Sequence, residues 1–71
     1  MTGSTMRISI SRVRWEMFSP GQQDKIKEIV KNYSTDMGYD HNYEYYWLEF
    51  SDEQHLLAEL AGLSSALGMM S

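Results

Sequence analysis

A chain of 71 residues is too short for two independent cores, and with no cysteine it can hold neither a disulfide nor a thiolate metal site. A formal charge of −4 and an isoelectric point near 4.9 weigh against general phosphate-backbone binding. No apolar run approaches the roughly 18 residues needed to cross a membrane, and the composition fits a soluble protein of a reducing, cytoplasmic compartment with no membrane partner.

Charge is divided unevenly along the chain. Residues 1–31 hold all six Lys and Arg against three carboxylates, a net of +3, whereas residues 32–71 hold seven carboxylates and no Lys or Arg, a net of −7. The expected outcome is neutralisation across the fold, with Arg7, Arg12 or Arg14 facing Glu44 and Glu49 on a neighbouring strand. The alternative is an acidic surface that draws a basic partner.

In chain order, residues 1–5 read as a disordered leader and residues 6–71 as a single α+β domain. Met6, Ile8 and Ile10 alternate with polar residues, the period of a strand with one buried face. Past Ser11 the apolar parity switches to Val13, Trp15 and Met17. The spacing therefore predicts a strand over 6–17 that either carries a bulge near Ser11 or shows a different apolar set on each side.

Ser19-Pro20-Gly21-Gln22 is a helix start: the Ser19 hydroxyl can accept from the third amide, Gln22 can reach back, and proline tolerates the first helical position. Ile26, Ile29, Val30 and Tyr33 then form one apolar stripe, which predicts a helix over 20–33. Asp36 to Asn42 reads as a polar loop, with Gly38 as its left-handed residue. The aromatic run from Tyr43 to Phe50 predicts the second strand, with Tyr46, Leu48 and Phe50 on the core side and Tyr43, Tyr45 and Trp47 on the other. Ser51 with Gln54 caps a second helix over 52–67, whose expected buried stripe is Leu56, Leu57, Leu60, Leu63 and Leu67, ending at Gly68.

Strand-helix-strand-helix order predicts a two-layer β-α-β-α arrangement: a right-handed crossover, a small sheet covered on one face by both helices, and completion by homodimerisation. Uncovered, the reverse face would present Tyr43, Tyr45 and Trp47 together with Trp15, a group of rings of the kind that marks a partner site. Asp36, Asp40, Asp52 and Glu53 would supply the acidic surroundings that steer a basic or nucleic-acid-binding protein partner.

Chemistry is sparse. The Asp36, Asp40, His41 and Asn42 loop lacks the third early acid and the terminal Glu of a calcium loop, and His55 with Glu59 makes only half of a metal site. There is no phosphate loop, HExxH or nucleophile motif, so no catalytic residue, metal or cofactor is assigned and the chain is not read as an enzyme. Such a very short, acidic, cysteine-free, aromatic-rich domain resembles phage or mobile-element accessory proteins. That resemblance implies a protein that inhibits or redirects a larger complex. Two other readings stand beside it: a single-stranded nucleic-acid binder that stacks bases on Tyr and Trp, opposed by the carboxylates of the aromatic strand, and a small structural subunit of a larger assembly.

Overall fold

Alternation in the first and last strands builds a sheet with one apolar side. The computed structural model describes residues 4–68, and in it Thr5–Ser11 (β1), Asp36–Asp40 (β2) and Tyr45–Ser51 (β3) form an antiparallel sheet of order β1-β3-β2. Met6 lies opposite Phe50, Ile8 opposite Leu48 and Ile10 opposite Tyr46, so the even-numbered residues of both strands share one side. Against that side pack four helices, Arg12–Met17 (α1), Pro20–Tyr33 (α2), Asp52–Leu60 (α3) and Leu63–Leu67 (α4). The core joins Ile10, Leu48 and Phe50 of the sheet to Ile26 and Ile29 of α2, Ala58 of α3, and Leu63, Ala66 and Leu67 of α4. Each of the larger side chains contributes about 1.5–3 kcal/mol by leaving water. The molecule is thus a two-layer α+β fold, as the sequence predicts, and the helices of the described residues lie on one face.

Local chemistry fixes where the helices start. Ser19 Oγ accepts from Gln22 N at 3.2 Å while Ser19 N donates to Gln22 Oε1 at 2.9 Å, a reciprocal capping box. Ser51 Oγ accepts from Gln54 N at 3.2 Å, and Asp52 and Glu53 occupy the first turn of α3, where the helix dipole favours carboxylates.

Several expectations are corrected. The strand predicted over 6–17 stops at Ser11, whose hydroxyl accepts from Arg14 N at 3.1 Å and caps α1. The change of apolar parity is therefore a change from strand to helix, supported by an Arg12–Glu16 ion pair one turn apart at 3.2 Å. That hydrogen bond with Glu16 is also the chief cause of a raised Arg12 pKa. The segment read as a polar loop contains β2, and Gly38 within it is extended rather than left-handed. With β2 and β3 forming a hairpin, β3 runs antiparallel to β1 and the right-handed crossover of a parallel pair is absent.

The helix predicted over 52–67 breaks at Gly62, which adopts φ +102° and leaves Ala61 as the C-cap of α3. This break rotates the two halves relative to each other. Leu63 and Leu67 are buried as expected, but α3 approaches the core through Ala58 and turns Leu56, Leu57 and Leu60 outward, at 58%, 38% and 77% exposure. Of the predicted leader, residues 1–3 lie outside the described residues. Ser4 donates to the Asp52 carboxylate at 3.2 Å and Thr5 opens β1 opposite Ser51, so this end of the segment belongs to the sheet.

Candidate functional site

Among the described residues no helix covers the side of the sheet that carries the odd-numbered residues of β1 and β3. Its residues are Thr5, Arg7, Ser9 and Ser11 of β1, Tyr45, Trp47, Glu49 and Ser51 of β3, and Asp36, Gly38 and Asp40 of β2, placed by the register of the two strand pairs. Trp47 is central, with Ser9 opposite on one side and Gly38 on the other. Its indole packs closely against Gly38: a methyl group at that position would fall 2.6 Å from Cε2 and 2.8 Å from Nε1. Glycine is therefore required in β2 because the neighbouring ring occupies the space of a side chain, the relation by which an aromatic covers a strand glycine.

Arg7 holds the ring from above. Its guanidinium carbon stands 4.7 Å from the indole centroid, within cation–π range, and its Nη2 pairs with Glu49 Oε2 at 2.8 Å. Trp47 is thus set between the backbone of β2 and a guanidinium anchored on the next outward-facing residue of its own strand. The expected pairing of the two charged halves takes this form at Arg7–Glu49, and again at Arg12–Glu44 with 3.4 Å. Both pairs are solvent-exposed and worth about 0–1 kcal/mol each, so their effect on geometry exceeds their effect on stability. Arg14 instead donates to the Leu67 carbonyl at 3.4 Å near the end of α4.

The hairpin between β2 and β3 is fixed by Asp40, whose Oδ1 accepts from Asn42 N at 2.8 Å and Tyr43 N at 3.0 Å, while Glu44 takes φ +54°. Tyr43 stands at its tip, 78% exposed. At the other end of β2, Thr35 N donates to the Glu49 carbonyl at 2.8 Å and Ser34 Oγ to the same oxygen at 3.0 Å, tying the exit of α2 to β3.

The eight residues predicted as a contact surface therefore divide. Tyr45 and Trp47 lie half-buried on the open face, and Asp36 and Asp40 occupy the same side at the two ends of β2. Tyr43 projects from the adjoining hairpin. Trp15 is a correction: α1 carries it to the helix layer, where its ring meets Phe18 and Tyr46, each at 6.0 Å, and packs on the core. Asp52 and Glu53 belong to the first turn of α3, beyond the end of β3, so the acids do not form one continuous patch.

Two features escaped sequence reasoning. Sequence reasoning expects Arg7, Arg12 or Arg14 to face a carboxylate of the neighbouring strand, but the position of Arg7 over the Trp47 ring needs the cross-strand register. The second is an open groove of about 680 Å³ on the helix side, floored by Ile10, Tyr46, Leu48 and Met37 and walled by Ile26 and Val30 of α2, with Lys27 and Lys31 on its border. Among the described residues no helix covers β2, which leaves the groove open, and a loop reading of β2 hides it. Among the described residues no group of three or more His, Cys, Asp or Glu is placed to hold a metal ion, and no helix is long and apolar enough to cross a membrane. No protein-family model, curated protein or solved structure matches this chain.

Proposed function

We propose that the protein is a small, non-enzymatic binding module of the inhibitor or accessory type, which docks on a larger protein through the open face of its sheet. The observation that carries this reading is the preset Trp47, held by Arg7 and Gly38 on a face that no helix of the described residues covers. Trp, Tyr and Arg are the residues in which contact energy concentrates, and Arg7, Tyr45 and Trp47 bring all three together. A side chain already ordered in the free protein spares about 0.5–1.5 kcal/mol of immobilisation on binding. Asp36 and Asp40 on the β2 border favour a partner that is basic where it meets that edge, and they predict an association rate that falls as salt is added.

The nucleic-acid alternative needs free aromatic faces on which bases can stack. The Trp47 ring is already covered by the Arg7 guanidinium and packed against Gly38, and Glu49 neutralises that arginine. These contacts favour a protein partner. The test is capture from the source organism with wild-type chain and with Trp47→Ala, Tyr45→Ala and Arg7→Ala. The same partner should be lost or weakened at least tenfold in all three and kept by Leu60→Ala on the opposite layer. Equal retention by the open-face variants rejects the reading.

A further inference from the structure

The helix layer has two unfilled features whose chemistries are complementary. One is the groove between α2 and the β2–β3 hairpin, apolar at Ile10, Val30, Met37 and Leu48 and bordered on α2 by Lys27 and Lys31. Met37 within it is 62% exposed, a large side chain left partly uncovered. The other is the outward ridge of α3. Leu56 and Leu60 stand one turn apart with Leu57 beside them, three leucines on the surface of a helix that contains Asp52, Glu53 and Glu59 and no Lys or Arg. An amphipathic helix that buries alanine and exposes leucine has its apolar face turned toward something other than its own core.

We infer that the α3 ridge of one copy seats in the α2–β2 groove of a second copy, with Leu56, Leu57 and Leu60 entering the groove and Glu53 and Glu59 approaching Lys27 and Lys31. Leu60 stands at i+4 from Leu56 and at i+3 from Leu57, the spacings with which a helix anchors in a groove. Charge selects this pairing over its symmetric rival. Two α3 ridges packed face to face would oppose six carboxylates with no Lys or Arg on either helix, whereas ridge in groove sets acids against a lining that holds two lysines, Lys27 and Lys31, and one carboxylate, Asp36. Because ridge and groove are different surfaces, the contact is heterologous. It leaves the open sheet face free and so does not depend on the docking role proposed above.

Sedimentation velocity tests it with three chains. Wild type should rise above the 8.3 kDa monomer mass as concentration increases. A groove variant, Lys27→Glu with Lys31→Glu, and a ridge variant, Leu56→Ser with Leu60→Ser, should each remain monomeric. All four positions are exposed, so both chains should keep the wild-type circular dichroism spectrum. Mixed together, the two variants retain one intact groove and one intact ridge and should form a one-to-one heterodimer. A wild-type chain that stays monomeric up to about 1 mM overturns the inference. So does self-association that survives the groove substitutions, or that is abolished by the ridge substitutions and not restored by mixing.

Discussion

Replacing Gly38 by alanine should destabilise the protein by about 1–3 kcal/mol, the cost typical of forcing an extra carbon into occupied space. In an ordinary extended position the same change would be neutral or stabilising by about 0.4–1 kcal/mol, because alanine restricts the unfolded chain. Here the added methyl would sit 2.6 Å from Trp47 Cε2, so the indole must lift away from β2 and from Arg7. Loss of the exposed cation–π contact accounts for about 0.5–1 kcal/mol of the cost, and loss of ring packing accounts for the remainder. Urea unfolding in a Trp15→Phe background reads both consequences, since Trp47 is then the sole tryptophan. The midpoint should fall and the native emission shift toward that of solvated indole. A double-mutant cycle isolates the cause: with Trp47→Ala already present, Gly38→Ala should become neutral or stabilising. If Gly38→Ala is harmless in the wild-type background and leaves Trp47 emission unchanged, the preset-ring geometry is wrong.

Leu56→Ala and Leu60→Ala should each change the stability of the isolated chain by less than about 0.5 kcal/mol, as surface substitutions do. Leu63→Ala or Leu67→Ala should cost about 2–5 kcal/mol, and chemical denaturation separates the two groups. Gly62→Ala should cost more than about 1 kcal/mol, because φ +102° lies where a side chain is strained; thermal unfolding should show this as a Tm drop of about 4–8 °C per kcal/mol. Ser19→Ala should cost about 1 kcal/mol through loss of the α2 cap, measured by the same unfolding assay. A cycle on Arg7 and Glu49 should give a coupling of about 0.2–1 kcal/mol that shrinks with added salt, since Arg7 is half exposed.

How far the fold was readable depended on whether a signal was local. Ser19 and Gln22 form a cap from four consecutive residues, and the even-face strand residues declare themselves by alternation, so both were legible. Ser11 was ambiguous because a parity change has two meanings, a bulge or a new element. Only the Ser11 hydroxyl and the Arg12–Glu16 spacing favour a helix. Asp36-Met37-Gly38-Tyr39-Asp40 has turn-forming residues at every outward position, yet Met37 and Tyr39 keep the alternation of a strand. Its glycine is explained by a ring nine residues away, which no local rule detects. The leucines of α3 misled for a further reason. A single stripe through residues 56–67 assumes one continuous helix, and the left-handed Gly62 resets the phase, leaving Ala58 as the buried residue. Of the contact surface, alternation placed Tyr45 and Trp47 correctly, whereas Trp15 followed the misread strand to the wrong layer.

Hydrogen–deuterium exchange of the protein with its captured partner probes the open face directly. Amides of β3 around Trp47 and of the two flanking strands should slow on complex formation, while those of α3 keep their free-protein rates. Protection confined to the helix layer, with the sheet unchanged, would contradict the assignment of that face as the docking surface.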